Sequence, residues 1–302
     1  MLRESPGPGR DDAPGAVAAP PATTVHVQYY TDPLCSWSWA LEPQWRRLRY
    51  ELGDQLTWEY RMGGMIADWQ SFSDPMNVIS RPIQLGPQWF QVRVLSGMAL
   101  DDRIWLDDPP ASSYPAGVAF HAAARQGPAA AEAYLRRLRE AVMLDRRNIA
   151  RPDVLTALAA ELAADDPAFD AERFAADLTS AAALAAFTDD LKEAGFRGIG
   201  RFPTLVLRTP DGDGRIIVGY RPYPALRAAL ADLAPAVAPG RRAADPVAYV
   251  GHWGGITARE VAEALEQEPA VVAAMLDAAV DAGRLAAGDE PAGDPARRYR
   301  PA

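Results

Sequence analysis

Cys35 is the only cysteine in the 302-residue chain, and it stands within "YYTDPLCSWSWALEP", residues 29–43. A lone thiol can attack a disulfide, be oxidised or take up glutathione, and it does so as the thiolate. Three residues on, where a dithiol protein carries a second cysteine, stands Ser38. Its hydroxyl ionises far too weakly to resolve a mixed disulfide. An internal disulfide cycle is therefore excluded, and only an outside thiol such as glutathione can release a mixed disulfide. Ser38 lies one helical turn after Cys35 on the same face, placed to hydrogen-bond a thiolate. An inert remnant is the other reading of this serine.

The surrounding pattern says what must position the thiol. Val25, Val27 and Tyr29 alternate with polar neighbours as in a strand, which Asp32 and Pro33 end. Residues 36–52 then read as one helix closed by Gly53. Cys35 falls at or just before its N-terminus, where free N–H groups and the helix dipole favour thiolate; a pKa below the free value of about 8.5 is expected. The competing reading is a small buried apolar residue. "QLTWEYRMGG" is a second strand, completing a β-α-β unit over residues 24–64.

From residue 65 to 195 no strand is expected. Residues 71–90 read as loop; "SYPAGVAFHAAARQG", "PAAAEAYLRRLREAVMLD", a segment from Asp153 to Leu162 and "DAERFAADLTSAAALAAFTDDLKEAG" read as helices, the last as two. Strands return in "FPTLVLRT" and "RIIVGY", joined by the turn "PDGDG", and "PYPALRAALADLA" is a helix. The expected organisation is an N-terminal tail (1–22), an α/β domain split into 23–64 and 196–235, a helical insertion (65–195), a linker (236–246) and a small C-terminal unit (247–302). That unit is read as two short helices and a polar tail, winged-helix-like or a helical hairpin, with Thr257 and Glu260 forming a capping box.

Bulk properties narrow the partners. The net charge is −9, which argues against nucleic acid or an anionic membrane surface. Residues 245–302 carry ten acidic and five basic side chains, which argues against DNA reading there too. No apolar run approaches a bilayer span. The first 22 residues lack the apolar stretch of a secretory signal, so a cytoplasmic protein is expected. Three well-separated histidines and one cysteine leave no obvious metal site.

The layout β-α-β, helical block, β-β-α resembles the DsbA-like branch of the thioredoxin superfamily over residues 24–235. Its anchors are "DPLCSWSW" and "GIGRFPTLVL", with "SSYPAGVAFHAAARQG", "YLRRLREAVMLDRRNIARPDVL" and "VGYRPYPAL" similar in order and spacing. Relatives in this group are dithiol oxidoreductases, kappa-class glutathione transferases, 2-hydroxychromene-2-carboxylate isomerases and adaptor proteins of the Clp protease. The resemblance implies an α/β thioredoxin-like fold with an all-α insertion. It also implies a cis Phe202–Pro203 bond beside Cys35, and a Phe202 backbone that pairs with an extended substrate or glutathione. This chain departs from the family's Cys-X-X-Cys at Ser38, and from the serine common at the first position in the transferase and isomerase branches.

The candidate site is therefore Cys35, Ser38 and Pro203 for chemistry, with Ser36, Trp37, Arg201, Phe202 and Thr204 facing the substrate. Trp37 is expected to be exposed, and Arg201 to meet an anion such as a glutathione carboxylate. The other tryptophans between residues 37 and 105 are expected in the core. The acidic pairs in "DDRIWLDDPP" and "FTDDL", and the basic runs "RRLR" and "DRRN", are expected on solvated faces. Three functions remain open: a monothiol oxidoreductase-like protein acting on protein or small-molecule thiols and disulfides, a kappa-type glutathione-dependent transferase or isomerase, and a non-catalytic adaptor. No tightly bound cofactor is expected, with glutathione as a co-substrate.

Overall fold

The computed structural model describes residues 24–302; the expected tail, 1–22, lies outside them. Strand β1 (Val25–Thr31) is central because it is bonded on both edges. It runs parallel to β2 (Leu56–Met62) and antiparallel to β3 (Thr204–Arg208), which pairs antiparallel with β4 (Gly214–Val218). The sheet order is β2-β1-β3-β4.

One helix was expected between β1 and β2, and two are present: α1 (Ser36–Ala40) and α2 (Glu42–Leu52). Pro43 lacks the N–H that would bond the Trp39 carbonyl, so the ladder is interrupted at Leu41. Leu41, Trp45, Leu48 and Leu52 then pack on Val25, Val27 and Tyr29 of the sheet, with Leu226 and Leu230 of α10 (Tyr223–Leu233) closing that layer.

The insertion is helical as its periodicity predicts, with α5 (Tyr114–Ala124), α6 (Pro128–Met143), α7 (Pro152–Asp165), α8 (Ala171–Leu178) and α9 (Ala181–Phe196). Asp170 and Ser180 cap α8 and α9 by accepting the N–H groups of Arg173 and Ala183. Two helices were not foreseen: α3 (Leu85–Ser96), half inside the expected loop, and the single turn α4 (Ile104–Asp107). Gly86 and Pro87 read as breakers, but both sit in the first turn of α3, where the N–H groups have no helical partner. Trp89 and Trp105 meet edge to face in the large core of this block.

The C-terminal unit has three helices rather than two: α11 (Pro246–Trp253), α12 (Ala258–Leu265) and α13 (Pro269–Asp281). Strands β5 (Ile256–Thr257), β6 (Leu285–Ala287) and β7 (Arg298–Pro301) form a sheet in the order β5-β7-β6. That helix-strand-helix-helix-strand-strand order is the winged-helix arrangement. The Thr257–Glu260 capping box is formed.

One acidic pair departs from the solvated reading. Asp190 follows Phe187 by three residues and precedes Ala194 by four, so it falls on the buried face of α9. Its carboxylate accepts the Met62 N–H at 2.8 Å and pairs with Arg61 at 3.1 Å, and His121 Nε2 lies 2.8 Å away. It thereby ties the end of β2 to α5 and α9. Asp190→Ala strands these partners and is expected to cost about 3 kcal/mol, read as a lower urea midpoint. Asp189→Ala, whose side chain is exposed, is expected to change stability by about 0.5 kcal/mol or less.

Candidate functional site

The end of β1 delivers the thiol. After Thr31 the chain turns through Asp32, whose carbonyl accepts the Cys35 N–H at 3.0 Å. Cys35 is the N-cap of α1, and its Sγ accepts the Ser38 N–H at 3.4 Å. Opposite it, the turn before β3 holds a cis Phe202–Pro203 peptide. The Cys35 thiol donates to the Phe202 carbonyl across 3.4 Å. Thr204 Oγ1 donates to the Arg201 carbonyl at 2.7 Å, and the Gly219 N–H to the Pro203 carbonyl at 2.7 Å, fixing this turn from both sides. The Phe202 ring lies against Gly63, where an added Cβ would stand 1.9 Å from the ring. Only glycine leaves room for that ring.

The thiol is 4% exposed, and burial dominates its acidity. Loss of water pushes the Cys35 pKa above the ordinary cysteine value, and the Asp32 carboxylate adds to the rise. Ser38 and the Arg139 guanidinium pull the other way and do not prevail. The depressed value expected from the helix start is thus corrected. A five-residue helix supplies one N–H bond to the sulfur, less than the solvation it forfeits. The Ser38 hydroxyl is fully buried and makes no protein hydrogen bond of its own among the described residues, while lying close enough to the sulfur to favour its ionised form.

Beneath the sulfur sit two opposite charges that sequence reasoning overlooked. Asp32, read only as a strand terminator, is 1% exposed. It accepts Leu34 N–H at 2.9 Å, Met65 N–H at 2.7 Å and the Ser113 hydroxyl at 2.8 Å. It therefore locks the cysteine loop to the chain leaving β2 and to the start of α5. Burial raises its pKa against those three donors. Arg139 was read as part of a solvated face, yet it is 1% exposed, donating to Thr31 Oγ1 at 2.6 Å and paired with Glu42. The signal was present: Leu135, Leu138, Val142 and Met143 place Arg139 inside the apolar stripe of α6.

The sulfur opens onto a groove of about 950 Å³. Leu34, Trp37, Met65, Phe72, Ile79 and Trp89 are among its apolar walls, and Arg201 is the only cation among the described lining residues. Ser36, Trp37, Arg201 and Phe202 reach this groove. Trp37 is part-buried rather than exposed, 5.9 Å from the Tyr220 ring. Thr204, Ser38 and Pro203 do not line the groove: all three are buried, Pro203 within the turn before β3. Arg201 is exposed and reaches the Met76 thioether across the groove mouth.

These electrostatics carry a measurable consequence. A raised thiol pKa means less thiolate at neutral pH than in a free cysteine. The iodoacetamide rate of Cys35 is expected to rise with pH with a midpoint above about 8.5. A midpoint below about 8 would mean that the helix start prevails over burial.

Comparisons with known proteins agree with this geometry. A thioredoxin family model matches residues 29–227. The ClpXP adapter protein SpxH of Halalkalibacterium halodurans is 29% identical over 201 residues, covering 66% of this chain and 64% of that protein. The matched region is thus less than two thirds of that relative's own length. Among solved structures, a candidate protein disulfide isomerase from Nitrosomonas europaea aligns with TM-score 0.57 and 22% identity, over 69% of this chain and 97% of that one. A probable DsbA oxidoreductase from Streptomyces coelicolor aligns with TM-score 0.53 and 18% identity, over 73% and 93%. With its thiol at the first helix, its cis proline opposite and a helical block between the two halves of the sheet, the chain belongs to the thioredoxin family.

Proposed function

We propose that this chain is a one-thiol exchange protein that takes an extended, partly apolar disulfide into the groove and joins one of its sulfurs to Cys35. The single observation that carries the reading is the 3.4 Å contact between the Cys35 sulfur and the Phe202 carbonyl, at the floor of an apolar groove. A backbone laid along Phe202 brings its own sulfur to Cys35, as strand addition does elsewhere. The chemistry is one exchange. The Cys35 proton leaves to solvent, the thiolate attacks one sulfur of a disulfide, and the other sulfur departs as thiolate. Ser38 offers no second sulfur, so an incoming thiol such as glutathione must attack the mixed disulfide to free the protein. Arg201 at the groove mouth suits a carboxylate of that thiol.

A second reading has its own support. The SpxH relatives are named adapters, and a neutral, buried thiol can serve as a groove-floor residue without chemistry. The same groove would then hold a protein segment for a protease.

Oxidised glutathione separates the two. Intact mass after incubation at pH 8 is expected to show one glutathione adduct on the wild type, none on Cys35→Ala, and loss of the adduct on adding reduced glutathione. An unmodified wild-type protein after prolonged incubation, with Cys35→Ala retaining partner binding, would leave the adapter reading standing.

A further inference from the structure

The winged-helix unit is docked by arginines, and its seam runs to the thiol. Glu260 of α12 is 0% exposed. It accepts the Thr257 N–H at 2.9 Å inside its own unit and a bidentate pair from Arg136 of α6 at 2.9 and 3.0 Å. Arg46 of α2 lies 3.5 Å from Glu260 and 3.5 Å from Glu42. Arg136 is also 3.9 Å from Glu42 and 2.6 Å from Glu140. Glu42 in turn is the partner of Arg139, which donates to Thr31 Oγ1 at 2.6 Å at the end of β1 and lies 5.9 Å from the ring of Tyr29. The Tyr29 hydroxyl donates to the Ser38 carbonyl at 3.4 Å in the first turn beyond Cys35. From there the Arg139 charge acts on the thiol.

Three carboxylates (Glu42, Glu140, Glu260) therefore face three guanidiniums (Arg46, Arg136, Arg139), a balanced set with Arg139 at the thiol end and Glu260 at the C-terminal unit. Other charges touch its rim: Arg298 lies 3.9 Å from Glu140 and Arg137 3.9 Å, and Asp32 acts on the thiol from its own loop. Glu42, Glu140, Glu260, Arg46 and Arg139 are all buried, so solvent screens an imbalance among them poorly. If Glu260 withdraws, Arg46 and Arg136 must both lean on Glu42, which then holds Arg139 less firmly. The uncompensated positive charge falls on the side of Cys35.

We propose that the C-terminal winged-helix unit tunes the Cys35 thiol through this shared set of charges, restraining it while docked and releasing it when displaced. The inference rests on Cys35 being the working thiol, but not on glutathione or any substrate. It gives the unit a role that its acidity denies it as a reader of nucleic acid.

The test is the pH profile of Cys35 alkylation by iodoacetamide on the full chain, which reads the thiol even if no disulfide exchange exists. Glu260→Gln is expected to raise the rate at pH 7 about two- to threefold, a shift of about a third to half a pKa unit. Arg46→Met removes a cation from the set and is expected to slow it by a similar factor. Glu268→Gln, on the exposed surface of the same unit, is expected to leave the rate unchanged. Opposite signs distinguish charge from loosening, because a merely loosened seam would expose the thiol and speed alkylation in both variants. Acceleration in both, or no change in either, overturns the proposal. If Glu260→Gln does not fold, as thermal melting would show, Arg46→Met alone decides between slowing and its absence.

Discussion

The pairing of β1 with β3 is the constraint on which the rest depends. Tyr30 stands opposite Thr204 in that ladder, so the turn leaving β1 and the turn entering β3 emerge side by side. Residues 35 and 202, 167 positions apart, are brought within 3.4 Å by it. Bringing them together closes the whole intervening chain into a loop, which is the entropic cost of inserting a helical block into a sheet. The block repays it by packing its own large core around Trp89, Trp105 and Tyr134, and by reaching back to Leu34 and Trp39 beside the thiol.

Much of this was legible in the sequence. Alternating valines and tyrosines gave β1, glycine after Leu52 gave the helix end, and the "PDGDG" turn gave the β3–β4 hairpin. The cis bond before β3 followed from family resemblance. What was not legible was tertiary. The break at Leu41 needed Pro43 to outweigh an otherwise continuous apolar pattern. The first turn of α3 was hidden by the glycine and proline that open it. Arg139 and Asp190 looked solvated because charged residues usually are; only their place within an apolar stripe marked them as buried. The acidity of Cys35 was misjudged for the same reason: the local rule about helix starts was right, and enclosure by other elements outweighed it.

The seam between the C-terminal unit and α2 shows what arginine contributes to such a fold. Arg47 donates to the Glu263 carbonyl at 2.9 Å, pairs with Glu51 and Glu266, and its guanidinium stacks 3.8 Å over the Tyr223 ring. Arg49 stacks 3.8 Å over Trp58 and pairs with Glu132. A planar guanidinium can bond at its edge and pack on its face at once, so it survives at a dry seam where an ammonium would keep its water. Such pairs add little net stability over apolar packing, but they fix which surfaces meet.

The groove beside Cys35 is walled by four separate stretches of chain: the first helix, the loop and helix that follow β2, the turn before β3, and Gly219–Tyr220. No one of them makes a pocket alone, so a ligand held there recognises only the completed fold. Its binding energy is then drawn entirely from the folded state, and occupancy lifts the unfolding temperature of the domain as a whole. The site is in that sense a clasp: whatever fills it also fastens the two halves of the split sheet to the helices between them.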